Sequence, residues 1–171
     1  PGKAEKISEL INKKIPENIL EELLKVTPKD KADATRSSGG IVLNRAAELV
    51  PSLIGGAADL APSTKTMLKS STDFSAENRA GRNLHFGVRE LGMSLLTNGI
   101  ALYGSAIPYA ATFFVFSDYM KPGIRLAAIQ GLHVIYVLTH DSFYVGEDGP
   151  THQPVDQFAM LRSIPNMTVI R

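Results

Sequence analysis

The sequence contains no cysteine. That excludes a disulfide framework and a thiolate metal site, and it is compatible with a reducing compartment. An excess of either charge is lacking too: 18 Lys and Arg stand against 17 Asp and Glu, a net of +1. A chain so balanced offers no electrostatic case for nucleic acid or for an anionic membrane. There is no long hydrophobic run. The longest apolar stretch, Ala106 to Phe116, is interrupted by Pro108 and is shorter than the ~20 residues a bilayer span needs. No secretory signal, internal repeat or low-complexity segment is visible. The chain begins at Pro1 without a methionine, which suggests a processed or excised piece.

What is present reads as ordinary globular protein, with 44% hydrophobic and 20% charged residues among 171. A single domain of this length buries roughly 70% of its unfolded surface. Residues 1–33 differ in tone from the rest. Ile7, Leu10, Ile11 and Ile15 fit one helical face, and Pro16 opens a second segment with Ile19, Leu20, Leu23 and Leu24. Lys and Glu fill the other positions, so 1–33 reads as a helical linker of short amphipathic surface helices, and 34–171 as the domain proper.

From Ala34 onward strands and helices alternate. Thr35–Gly40 is a polar entry to a helix carrying Ile41, Leu43, Ala46, Ala47 and Val50, closed by Pro51. Leu53–Ala58 reads as a buried strand and Asp59–Ser63 as the loop at its carboxyl end. Residues 64–83 are polar with few apolar anchors, and are expected to form a surface excursion. The pattern predicts strand Leu84–Val88, helix Glu90–Tyr103, strand Tyr109–Phe114, helix Val115–Ile129 and strand His133–Thr139. A polar loop, Asp141 to Gln153, leads to a helix Val155–Arg162 and a last strand Thr168–Ile170. Helices of about 12–15 residues between strands argue for an α/β fold, a mainly parallel sheet with helices on both faces. The apolar run Val134–Leu138 is what a strand covered on both sides needs.

Such sheets bind ligands at the carboxyl ends of their strands, and the chemistry-bearing residues fall there. Glu90 stands between a strand and a helix; it also suits a plain helix-start acid stabilised by the dipole. Asp59 and Ser63 share a loop that can present a hydroxyl and backbone N–H groups to a phosphate, with Arg36 as a bidentate partner; a capped turn and a surface ion pair explain the same residues. Phe113, Phe116 and Tyr119 recur every third residue, so a helical turn lines them up as a flat-walled pocket for a heteroaromatic ring, or as core. His140, Asp148 and His152 follow the strongest strand. Two imidazoles and a carboxylate among glycines can hydrogen-bond sugar hydroxyls and move protons near neutral pH. Their spacing matches no common metal site.

Four stretches carry a resemblance in order and spacing: Gly55–Ser63, Phe86-Gly-Val-Arg-Glu90, Ala111–Tyr119, and Thr139-His-Asp-Ser142 with Gly146–Pro154. Together they resemble the transketolase family, over roughly residues 34–171, and specifically its middle, pyrimidine-binding domain. The resemblance implies thiamine diphosphate as cofactor, with Mg or Ca held by a domain absent from this chain. It implies that Glu90 hydrogen-bonds a ring nitrogen of the aminopyrimidine, that Phe113, Phe116 and Tyr119 surround that ring, that Arg36 and Ser63 contact a sugar phosphate, and that His140, Asp148 and His152 contact substrate hydroxyls and the reacting carbonyl. His140 and His152 join Glu90 as catalytic candidates.

The implied activity is transfer of a two-carbon ketol unit from a ketose phosphate to an aldose phosphate, by a fragment or subunit that is inactive alone. A separate subunit of a split enzyme and a noncatalytic interaction module are the alternatives. The implied partners are sugar phosphates and either a second copy or a diphosphate-binding domain or subunit, and the implied location is the cytoplasm, with a plastid also open. Two departures stand out: Leu91 where the family usually has histidine, and Phe143-Tyr144 where it is usually aliphatic and glycine-rich. The family's Gly-Asp-Gly segment, the last part of its pyrimidine domain with a further phosphate-binding arginine, and its C-terminal domain are not found in this sequence.

Overall fold

A computed structural model describes residues 2–28, 32–142 and 144–171. Two short helices, α1 (Lys3–Ile11) and α2 (Ile19–Val26), come first and contain no fully buried residue. Helix α2 leans on α3 (Thr35–Leu49): Ile19 packs toward the core beneath it, and Glu22 pairs with Arg45. The sheet then builds from β1 (Leu53–Ala57), β2 (Asn83–His85), β3 (Ile107–Phe113) and β4 (Ile135–Thr139), in the order β2-β1-β3-β4 with every pair parallel. The one-turn α4 (Ala61–Thr64) follows β1, α5 (Glu90–Tyr103) follows β2, and α6 (Ser117–Ile129) joins β3 to β4. Helix α7 (Gln157–Arg162) closes the order.

All seven residues of β3 are buried, as a strand covered on both faces requires. On one face Ile107 and Tyr109 pack with Ala47, Val50, Leu53 and Leu68 under α3. On the other, Ala110 packs with Met93 of α5 and with Met120 and Ile124 of α6. The α/β reading with helices on both sides therefore holds. Helices α5 and α6 interlock closely: a Cβ added at Gly123 would lie 2.1 Å from Ser94 Oγ, and Asn98 Nδ2 donates to the Gly123 carbonyl at 2.8 Å. The Tyr136 hydroxyl of β4 donates in turn to Asn98 Oδ1.

Several boundaries differ from the sequence reading. Strand β2 stops at His85 because Gly87 turns the chain with φ 68°, so Val88 lies outside it. Phe114 does not end β3 but opens a 3-10 turn, Phe114–Phe116, and α6 starts only at Ser117. Helix α7 begins two residues later than expected, after Asp156. Thr168–Ile170 forms no strand. Met167 and Val169 rest on the core, while a cavity of about 380 Å³, lined by Tyr136 and Leu138 of β4 and by residues 167–171, lies alongside.

Residues 64–83 run over the surface as expected, with 69–80 exposed or half-exposed throughout. Polar side chains fasten them at both ends. The Asn83 amide accepts from the Leu68 N–H at 2.8 Å and donates to the Leu68 and Ser71 carbonyls. Arg82 donates to the carbonyls of Ala47 and Leu53, and the buried Tyr109 hydroxyl donates to the Thr66 carbonyl at 2.7 Å. Leu68 alone gives the segment a deep apolar anchor, at 1% exposure.

Candidate active site

In a parallel sheet all carboxyl ends share one edge, and here that edge gathers Phe113, Thr139 and the turns that follow them. His140 takes a left-handed backbone, φ 57°, immediately after β4. The turn swings its ring back over the sheet end, where it stacks on Phe113 with centroids 3.7 Å apart. Phe113 stacks on Phe116, and Phe116 on Tyr119, each at 6.1 Å. The 3-10 turn makes this ladder, so the alignment expected from the spacing is present although the residues belong to three different elements. His152 stands edge-on to the same wall, 6.1 Å from Phe113 and 5.2 Å from Phe116. At the ends of this turn the Thr112 and Ser117 hydroxyls are buried without a partner among the described residues.

Arg36, from the first turn of α3, reaches the site from the side. Its Nη1 lies 2.6 Å from His140 Nε2. A guanidinium can only donate, so Nε2 must accept and the imidazole must be neutral. The proton then sits on Nδ1, which donates to Thr139 Oγ1 at 2.9 Å. Desolvation pushes the His140 pKa down and the nearby Arg36 charge lowers it further; Asp148 and Asp141 oppose this. The histidine is thereby held neutral with a fixed tautomer.

A pH dependence follows. With its folded pKa depressed below 6.5, His140 contributes stability that is fully present above pH 6.5 and is lost as pH falls through the folded value. Arg36→Ala should raise the His140 pKa back toward 6.5, read by NMR titration of the ring. An unchanged titration midpoint would mean that Arg36 does not face the imidazole in solution.

A cavity of about 540 Å³ opens beside this pair, between the start of α3, Thr64 and Thr66, and the β4 end. Asp148 is exposed and shares a neighbouring cavity with Arg36 and His140. Ser63 does not join them: it is exposed on α4 and lines neither cavity. Phe143 lies outside the described residues; Tyr144 lines both cavities. Sequence reasoning passed over Thr139, Thr64 and Thr66. Thr139 had a signal, since it directly precedes His140 at a strand end. The other two had none, because their place depends on the fastening of residues 64–83.

Glu90 is the first residue of α5, 9% exposed, and its carboxylate has no hydrogen-bond or ion-pair partner among the described residues. It follows β2 at the same carboxyl edge of the sheet as the ladder. Among the described residues no three His, Asp or Glu side chains converge as a metal site. Among the described residues no helix is long and apolar enough to cross a membrane.

Comparison with known proteins places this geometry. Residues 31–171 match the family described as transketolase, pyrimidine binding domain. The transketolase of Geobacillus stearothermophilus is 52% identical over all 171 residues, which make up 25% of that protein. The solved transketolase from Leishmania mexicana superposes with a TM-score of 0.87 at 40% identity, over 93% of this chain and 24% of that one. A structure titled split gene transketolase, inactive beta4 tetramer, matches 80% of this chain and 42% of its own, with a TM-score of 0.61 at 27% identity. The chain thus spans about a quarter of the length of its full-length relatives. It belongs to the transketolase family, as a pyrimidine-binding domain.

Proposed function

We propose that this chain forms the ring-binding half of a thiamine diphosphate site in a transketolase that moves a two-carbon ketol unit between sugar phosphates. The observation that carries this is the grouping of Arg36, His140, Phe113, Phe116 and His152 at one sheet end, with a buried, unpartnered Glu90 on the same edge. These residues fit the cofactor's aminopyrimidine. A carboxyl group without an internal partner is free for a ring nitrogen, and Phe113, Phe116 and Tyr119 offer a ladder of aromatic faces. Thiamine diphosphate, when bound, supplies the carbon nucleophile that carries the two-carbon unit.

The chain's own residues then divide the work. Glu90 holds or releases a proton at the ring nitrogen. His140, neutral and oriented by Thr139 and Arg36, hydrogen-bonds a sugar hydroxyl, and His152 does so from the other side of the Phe113 wall. Arg36, with Ser63 as the more distant candidate, meets the sugar phosphate as a charge-assisted donor. Asp148 lies within electrostatic reach of His140 and accepts from a substrate hydroxyl. The diphosphate and its Mg or Ca belong to another domain or subunit. The split-gene neighbour is titled an inactive tetramer, and this chain alone is likewise expected to self-associate and to turn over no sugar. Its place is the cytoplasm.

Replacing the matching quarter of the Geobacillus transketolase by this chain tests the reading. The chimera should convert xylulose 5-phosphate and ribose 5-phosphate, while the isolated chain should not. A chimera that folds and binds cofactor but is inactive, or turnover by the isolated chain, would refute it.

A further inference from the structure

His152 is carried by a stretch with no anchor in the core. None of residues 146–156 is buried, and the ring's own element is the short 3-10 turn Pro150–His152. The hydrogen bonds along this stretch are local. The Gly149 N–H donates to the Gly146 carbonyl, the His152 N–H to the Gly149 carbonyl, and the Gln153 amide to the Val145 carbonyl. Such bonds give a loop its shape without fixing where it lies on the protein. Yet the His152 ring stands edge-on to Phe116 at 5.2 Å.

Asp118 and Gln157 supply the tie. Gln157 opens α7 and is 3% exposed, a polar side chain with both ends used. Its Nε2 donates to both carboxylate oxygens of Asp118, at 3.0 and 3.1 Å, and its Oε1 accepts from the Val155 N–H at 2.7 Å. The amide cannot be turned round, because an ionised carboxylate only accepts and a backbone N–H only donates. Asp118 lies in the first turn of α6, between Phe116 and Tyr119 of the ladder. A closed circuit results. It runs from Phe116 through Asp118 and Gln157 to Val155, and back along the loop to His152, which faces Phe116 again.

A staple between α6 and α7 explains the pair less well. Helix α7 is already held by Leu161, which is buried, and by Phe158, whose ring packs on Phe114 with centroids 4.4 Å apart. What the pair adds is the bond to Val155, which belongs to the loop and not to the helix. An acid that only stabilised the start of α6 by its charge would need no buried amide aimed at it.

We propose that Asp118 and Gln157 are positioning residues, forming a latch that fixes the loop carrying His152 and sets its imidazole against the Phe116 wall for the substrate. The proposal rests on the reading of His152 as a sugar contact and deepens it.

Exchanging the two groups tests the latch. Gln157→Glu sets two carboxylates against each other and should release the loop. Adding Asp118→Asn restores the pair the other way round: the amide at 118 donates to the carboxylate at 157, which still accepts from the Val155 N–H. In the chimera, Gln157→Glu should lower kcat/KM for xylulose 5-phosphate roughly 3–10-fold, the worth of one neutral hydrogen bond, mainly through KM. The double variant should recover most of this. Hydrogen–deuterium exchange at the thiazolium C2, the work assigned to Glu90, should stay near the wild-type rate. In NMR of the chain itself, the His152 ring signals, displaced by the neighbouring Phe rings, should move toward those of an exposed histidine in Gln157→Glu and return in the double variant. Asp118→Ala, a change at an exposed residue, gives the same readout should Gln157→Glu fold poorly. Unmoved His152 signals in the single variants, no recovery in the double variant, or a lowered urea midpoint with unchanged KM, as a structural staple would give, would each overturn the proposal. An equal loss of C2 exchange would place the latch under the aromatic ladder instead and overturn it too. The His152 signals are read without turnover, so the latch and the catalytic reading fail separately.

Discussion

Glu90→Gln, placed in the assembled enzyme, is expected to lower kcat by about 10²–10⁴-fold, the usual contribution of a positioned acid–base group. The side chain is 9% exposed at the first position of α5, and no hydrogen-bond or ion-pair partner meets it among the described residues. A carboxylate that pairs with nothing among the described residues is available to a group outside the chain. Gln preserves size and a hydrogen-bonding group but cannot gain or lose the proton. The loss should therefore fall on kcat and on hydrogen–deuterium exchange at the thiazolium C2, with KM for sugar phosphates nearly unchanged. Arg36→Ala should show the reverse, a raised KM with a smaller change in kcat, because a phosphate contact made equally in ground and transition states acts on binding. If Glu90→Gln leaves C2 exchange at the wild-type rate and only trims helix stability by ~0.3–1 kcal/mol, then Glu90 is a dipole-stabilising acid and no more.

The fold was legible where one physical signal dominated. Helix α5 begins and ends as its pattern predicts, because Arg89-Glu90 opens it and Gly104, with φ 91°, ends it in the left-handed region. The covering on both faces expected of Val134–Leu138 belongs instead to β3, because β4 is the edge strand of the sheet and leaves Ile135 38% exposed, whereas β3 lies inside it and is buried throughout. The fastening of residues 64–83 was not legible, because Asn83, Arg82 and Tyr109 hold them through backbone carbonyls distant in sequence, and polar composition looks the same whether it faces water or a buried carbonyl. The site divided in the same way. Phe113, Phe116 and Tyr119 were visible as a spacing, and His140 and His152 as histidines after a strong strand. Their assembly was not visible, since the His140–Phe113 stack depends on a left-handed turn and the Arg36 contact joins α3 to β4.

Gly56→Ala is expected to have the largest effect on stability, and it tests how Glu90 is placed. Strand β1 is flanked on both sides, with Gly56 beside Leu84 of β2 and Ala110 of β3. A Cβ at Gly56 would sit 1.7 Å from the Leu84 carbonyl oxygen, an atom of the neighbouring backbone that no rotamer change can move. The two strands would have to separate. Overpacking of a core commonly costs ~1–3 kcal/mol, and a backbone clash of this depth should reach or exceed the upper figure. That is a large part of the ~5–15 kcal/mol that holds a domain folded. Gly39→Ala is the matched control, because Gly39 lies within α3 and nothing stands within 4 Å of its added Cβ. Removing a helix-interior glycine there should stabilise by roughly 0.8–1 kcal/mol. Urea unfolding of both variants should thus move in opposite directions. Strand β2 leads through Gly87 to Glu90, so any folded remnant of Gly56→Ala should also misplace that carboxylate and lose activity when joined to the rest of the enzyme. An unshifted urea midpoint for Gly56→Ala would mean that β2 does not pair with β1 at this register, and the position of Glu90 on the site edge would lose its support.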